Sequence, residues 1–182
     1  MLAPVRHLAL SAIGRDRPGI VADISGVLLE HSANVEDSQM TILRGHFAMM
    51  LVLAVPDDAD RDLLASDLDA AAQRLGLEAL SLRDVGDLTE LGPDPSHMVT
   101  VYGVDHPGIV HAAAIALAER DVDITDLNTR LLEEEGDSLY VLMMEVALPD
   151  GLEPDDLRRT LAGVGESEGV EVTLRELEQD AL

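Results

Sequence analysis

The chain has 182 residues, of which 47% are hydrophobic, enough for one medium domain or two small ones. It has no cysteine and no lysine, all 12 basic residues being arginine, which excludes a disulfide scaffold, a thiol nucleophile, cysteine-ligated metal, Schiff-base chemistry and a phosphate-loop lysine. A formal charge of −24 argues against direct contact with nucleic acid, whose phosphates would be repelled. The opening Met1-Leu2-Ala3-Pro4-Val5-Arg6 lacks a signal peptide's apolar core, and no uncharged apolar run approaches bilayer length, so the expectation is a cytoplasmic protein without a membrane partner.

Taken in order, residues 7–13 form an apolar run that reads as a strand. Ile20, Ile24, Val27 and Leu28 then mark one face of a helix over 18–32. Val35–Leu43 reads as a second strand, Arg44-Gly45-His46 as a turn, and Phe47–Val55 as a third strand stopped by Pro56. Asp57 and Asp58 offer an N-cap to a second helix with Leu64, Leu68, Ala71 and Leu75 on one face, ended by Gly76. Leu77–Asp84 supplies a fourth strand. Gly86–Ser96, with Gly92-Pro93-Asp94-Pro95, reads as a linker.

The order then recurs: strand 97–104, helix 107–120, strands 123–132 and 138–148, helix 154–164 and strand 170–177, with Glu178–Leu182 as an acidic tail. The second hairpin turn, Glu133–Asp137, is the longer one. The domains expected are therefore 1–85 and 97–182 around a linker at 86–96. Each is a βαββαβ, or ferredoxin-like, unit with an antiparallel sheet, making an α+β chain. The third strands, 47–55 and 140–148, are apolar at almost every position, which predicts that their outer faces are also covered by the other unit or another chain. A homodimer is the expectation.

One phrase is doubled. Asp16-Arg17-Pro18-Gly19-Ile20-Val21 recurs as Asp105-His106-Pro107-Gly108-Ile109-Val110, an offset of 89 residues (105 − 16). The register holds from Gly14/Gly103 to Gln39/Asn128, so a whole unit is duplicated. Each copy stands between a strand and a helix. Proline suits the first helical position, and the glycine leaves no side chain over the helix start. The N–H groups of that first turn can then reach an anion such as a carboxylate. Asp16 and Asp105 can cap the turn or hold an ammonium group. The same residues also fit a tight strand-to-helix turn with no ligand.

A βαββαβ unit with Asp-x-Pro-Gly-Ile-Val after its first strand, and Asn34 opening its second, resembles the ACT domain, a small-molecule sensing module. The tandem pair is similar to the two-domain group that includes the glycine cleavage system transcriptional repressors. The resemblance implies a ligand-binding site at Asp16, Arg17, Pro18, Gly19, Ile20, Val21 and Asn34, and a second at Asp105, His106, Pro107, Gly108, Ile109, Val110 and Asp123. Asn34 can donate and accept, which suits an amino acid's two charged ends. Asp123 in its place adds negative potential beside Asp105, so the first site ranks above the second.

Other constellations are set aside. His106 and His111 are five apart, on diverging helix faces, so neither metal nor any cofactor is expected. Gly163–Gly169 superficially looks like a nucleotide loop, but it reads as lying between a helix and a strand, with acids where phosphates would sit. Asp155-Asp156 and Glu133–Glu135 read as a helix first turn and a solvated hairpin. No Gly-x-Ser-x-Gly elbow presents a serine, so no catalytic residue is assigned. The reading is a non-catalytic regulator that binds a small amino acid between domains and acts on a protein partner, either a transcriptional regulator of glycine and one-carbon metabolism or, as a detached regulatory subunit, an amino-acid metabolic enzyme. A small ferredoxin-like enzyme is the least favoured alternative.

Overall fold

A computed structural model describes residues 4–86, 92–134 and 137–177. The chain divides into two compact units, Met1–Glu90 and Leu91–Leu182. Residues 87–91 of the linker, the tail at 178–182 and positions 135–136 of the second hairpin lie outside the described residues.

The first unit runs β1 (Val5–Arg15), α1 (Ile20–Glu30), β2 (Asn34–Leu43), β3 (His46–Pro56), α2 (Arg61–Leu75) and β4 (Leu77–Asp84). Its sheet is antiparallel throughout, in the order β2-β3-β1-β4. The second unit runs β5 (His97–Val104), α3 (Ile109–Ala118), β6 (Asp123–Glu134), β7 (Asp137–Ala147), α4 (Pro154–Glu168) and β8 (Glu171–Glu176), with sheet order β6-β7-β5-β8. Both are α+β ferredoxin-like units, and the duplication read from the motif extends to the strand order.

Periodicity located the buried faces. Ile20, Ile24, Val27 and Leu28 of α1 are buried, as are Leu64, Leu68, Ala71 and Leu75 of α2. Against them stand the inward residues of β1 and β3, among them Leu8, Leu10, Phe47 and Leu53, and each such side chain contributes about 1.5–3 kcal/mol by leaving water. In the second unit Val99, Val101, Ile109, Leu142, Met144 and Leu157 form the corresponding cluster. Along β3 the inward residues are buried, whereas the outward ones range from buried Ala54 through half-buried Ala48 and Val52 to Met50, which is 56% exposed. The continuous apolar run of β3 thus supplies both the buried face of the sheet and an apolar outward face.

Three local features differ from the sequence reading. Asp57 and Asp58 do not cap α2; Asp60 does, its Oδ1 accepting from the N–H groups of Asp62 and Leu63, each at 3.0 Å. Three aspartates in four residues offered equivalent candidates, and only the backbone turn selects among them. Helix α4 runs to Glu168 rather than 164, so Gly163–Glu168 is helical and Gly169 is its left-handed C-cap. Gly165 is tolerated because the helix passes close to β8: a Cβ there would stand 2.8 Å from the Val170 carbonyl oxygen. Finally, neither proline of the doubled phrase is helical, since α1 and α3 begin only at Ile20 and Ile109.

Candidate functional site

The two strand-to-helix corners hold the doubled phrase. After β1 the chain turns at Asp16, whose N–H donates to the Gly45 carbonyl of the β2–β3 turn at 2.9 Å. Gly19 then takes φ +101 and serves as N-cap of α1, with no side-chain hydrogen bond to the first turn. Gly108 does the same at φ +115 before α3. These are backbone conformations that an L side chain rarely adopts, so glycine is required here for its geometry as well as for its openness. Asp16 and Asp105, expected as possible caps, do not cap. The first-turn N–H groups are consequently without side-chain acceptors, which is the condition for receiving an anion.

In the first unit the corner is open. A cavity of ≈ 520 Å³ is lined by Asp16, Arg17, Pro18, Gly19, Ile20 and Val21, together with Ala22, Met40 and Phe47. The six motif residues thus share one cavity, and a Cβ at Gly19 would meet nothing within 4 Å. Ala22, Met40 and Phe47 escaped the sequence reading; Ala22 follows the motif on the helix, whereas Met40 and Phe47 reach the corner only because the β2–β3 hairpin folds back beside it. Val21 and Met40 also wall a second groove of ≈ 280 Å³ between α1 and β2, whose other lining includes Ile24, Leu28, Val35 and Leu51. The corner therefore opens into an apolar trough. A separate depression of ≈ 180 Å³ at Asp37, Ser38, Gln39, Met50 and Val52 contains no motif residue.

Asn34 does not join this cavity within its own unit. It pairs with Ala54, which pairs with His7, whereas the corner follows Arg15, paired with His46. Eight residues of strand separate the two ends, roughly 26 Å at the usual rise. Asp123 is likewise paired with Ala147, at the end of the second sheet away from Gly108. The antiparallel hairpin carries the start of each second strand to the far edge, and proximity in sequence does not survive folding.

The second residue of each motif is engaged. Arg17 Nη1 donates to the Leu75 carbonyl at 3.0 Å, and His106 Nε2 lies 2.9 Å from the Glu168 carbonyl oxygen. Leu75 and Glu168 are the last residues of α2 and α4, so both contacts place a basic side chain on an unpaired helix-terminal carbonyl. His106 Nδ1 also lies 3.2 Å from the Pro107 carbonyl oxygen and 4.0 Å from Glu168 Oε2. The bonds to the Pro107 and Glu168 carbonyls, then the charges of Glu168 and Asp105, raise the His106 pKa above its ordinary value. At the second corner a Cβ on Gly108 would lie 3.6 Å from Glu168 Oε2.

Ser96 and His97 adjoin each other, with Ser96 Oγ 2.9 Å from His97 Nδ1. The same hydroxyl accepts from the Leu148 N–H at 3.2 Å, so it ties β5 to the chain leaving β7. Among the described residues, no cluster of three or more His, Asp or Glu is arranged to hold a metal ion. No described helix is long and apolar enough to cross a membrane.

Comparison with known proteins adds the following. A family model described as ACT domain matches residues 6–80. A UPF0237 protein of Methanopyrus kandleri is 43% identical over 72 residues, covering 39% of this chain and 80% of its own. A phosphoserine phosphatase of Streptomyces coelicolor is 29% identical over 171 residues, covering 93% of this chain but only 40% of the phosphatase. The crystal structure of an unknown protein from Galdieria sulphuraria superposes with a TM-score of 0.81 at 33% identity, covering 96% of this chain and 99% of that one. A proposed glycine cleavage system transcriptional repressor shares the fold, with a TM-score of 0.73 at 16% identity and the same coverages.

Proposed function

The chain belongs to the ACT-domain family as a tandem pair of such units, and from that premise we propose that it is a non-catalytic regulator whose first corner binds a small amino acid. The open cavity at Gly19 is the observation that carries this reading. The free N–H groups of α1 receive the ligand's carboxylate, the Asp16 carboxylate faces its ammonium group, and a small apolar side chain enters the trough beside Met40. A ligand that completes its contacts in only one arrangement of the chain shifts the population toward that arrangement, with coupling of about 1–3 kcal/mol being typical. The net charge of −24 favours a protein target over nucleic acid.

Thermal-shift measurement against the twenty amino acids, glycine among them, tests the site. One or a few should raise the midpoint. Filling the cavity by Ala22→Phe should abolish the rise without the backbone strain that any substitution at Gly19 introduces. Asn34→Ala should leave it intact for a site built within one unit. No response to any amino acid, or an undiminished response in Ala22→Phe, overturns the assignment.

All ten residues of β2 are exposed, including Met40, Ile42 and Leu43, so this edge strand presents unpaired main-chain groups flanked by apolar side chains. We take it as the seam along which a second copy pairs, giving a homodimer; a monomer in sedimentation at micromolar concentration would refute that. A second reading of the target has its own support. The match to the phosphatase spans nearly this whole chain and less than half of that enzyme, which favours a detached regulatory subunit for an enzyme of amino-acid metabolism. Capture of the native partner separates the two, because one predicts a transcription regulator and the other an enzyme.

A further inference from the structure

We infer that the second corner is a proton-controlled clasp, in which the His106 imidazolium and the Glu168 carboxylate hold the start of α3 closed against the end of α4. The regulatory meaning of the clasp rests on reading these corners as ligand sites; its geometry does not. Both ring nitrogens of His106 face acceptors that cannot donate, the Pro107 carbonyl at 3.2 Å and the Glu168 carbonyl at 2.9 Å. A neutral imidazole carries one N–H and can satisfy only one of them, so the arrangement calls for the doubly protonated ring. The Glu168 carboxylate stands 4.0 Å from Nδ1 and 3.6 Å from where a Gly108 Cβ would be. It thus sits beside the first turn of α3 as an internal anion, in the region where a ligand carboxylate would approach.

The first unit lacks this device in an instructive way. Arg17 makes the equivalent bond to the end of α2 but never loses its charge, and the residue corresponding to Glu168 is Leu75, which brings no carboxylate. One corner is therefore held with no carboxylate from the helix end beside it, and the other is held with the Glu168 carboxylate alongside. The charged groups that act on His106 are Asp105 from its own loop and Glu168 from α4, and both favour the cation. Because the folded-state pKa is raised, the stabilisation is complete below the pKa of an unfolded histidine and is lost as pH rises through the folded value. Alkalinity opens the clasp; acidity closes it.

The test uses the full chain. Nitrogen-15 NMR of the histidine rings, assigned with His106→Gln, should show both His106 nitrogens protonated up to a titration that lies above that of an unfolded histidine, with Glu168→Gln moving it downward. Hydrogen exchange at Ala112, whose N–H bonds the Gly108 carbonyl, and at Val170, whose N–H bonds the Gly165 carbonyl, reports closure. After correction for intrinsic base catalysis, protection there should fall as pH rises through the titration, by up to about tenfold for each unit that the measured pKa stands above an unfolded histidine. His106→Arg, imitating Arg17, should keep the protection and remove its pH dependence. A His106 titration no higher than that of an unfolded histidine, or protection that ignores the titration, overturns the clasp. These readouts need no ligand, so they stand or fall separately from the amino-acid panel: a failed panel removes the first-corner reading and leaves the clasp to be judged by NMR.

Discussion

The two corners descend from one duplicated unit, yet they have reached opposite states with very few changes. Both keep Asp, Pro and a left-handed glycine, and both tie the motif's basic residue to the last carbonyl of the second helix. The first corner pairs Arg17 with a terminal Leu75, whereas the second pairs His106 with a terminal Glu168. The comparison teaches that the shared phrase specifies a backbone shape. Residues roughly 60 positions downstream decide whether that shape has the chain's own carboxylate beside it. A motif search would score the two corners as equals.

The largest expected difference between the units lies under the corners. Phe47, fully buried and opposite Gly14, corresponds to Tyr140, opposite Gly103 and only partly buried. Phe47→Ala should cost about 3–5 kcal/mol, the range for emptying a buried aromatic site, and should also remove one wall of the first cavity. Tyr140→Ala should cost clearly less. Both tyrosines, Tyr102 and Tyr140, lie in the second unit, so tyrosine fluorescence follows that unit while hydrogen exchange along β1 follows the first. Equal losses at the two positions would mean that the units share their corner packing after all.

A middle-sized difference is expected at the paired glycines before the corners. A Cβ on Gly14 would meet Leu77 Cδ2 at 2.9 Å and Leu77 Cα at 3.0 Å; on Gly103 it would meet Val170 Cγ1 at 2.7 Å and Cβ at 3.1 Å. Overpacking of this kind costs about 1–3 kcal/mol. Gly103→Ala should fall at the upper end, because its closest contact is the tighter one, 2.7 Å, and the branched Val170 has little rotamer freedom with which to yield; at Gly14 the leucine tip can swing aside, leaving the backbone contact at 3.0 Å to be relieved. Urea midpoints of the two variants compare them directly, and a larger loss for Gly14→Ala would reverse the ranking.

How much of this was legible beforehand follows a simple division. Strand order, helix faces and the stop at Gly76 depend on periodicity and local backbone chemistry, which the sequence displays, and Leu64, Leu68, Ala71 and Leu75 are buried as their spacing requires. The six residues of the first motif share a cavity because they are contiguous. What escaped depends on contacts between distant segments. Met40 and Phe47 reach the corner through a hairpin, Arg17 and His106 through helix ends 58 and 62 residues away. Asn34, which the resemblance assigns to the first site, lies at the other end of the sheet from the corner within its own unit, a separation set by strand register that only the fold displays. The helical run through Gly165 was hidden because glycine reads as a breaker until β8 is seen beside it.

The smallest contrast concerns how the second helix of each unit begins. Asp60 takes an extended backbone and its carboxylate satisfies two first-turn N–H groups of α2, so Asp60→Ala should cost about 0.5–2 kcal/mol. At the matching place before α4, Glu153 has a similar backbone, φ −73 and ψ 132, but its side chain makes no cap bond. Pro154 has removed one N–H that would have needed an acceptor, and Asp155 and Asp156 supply the negative charge that the helix start favours. Glu153→Ala should therefore change stability by less than about 0.5 kcal/mol, as for an ordinary surface site. Glu153→Asp shortens the side chain by one methylene and lets its carboxylate reach the first turn as Asp60 does, which should add about 0.5–1 kcal/mol. Denaturant midpoints decide it: if Glu153→Ala costs as much as Asp60→Ala, then Glu153 is already serving as a cap and the two helix starts are alike.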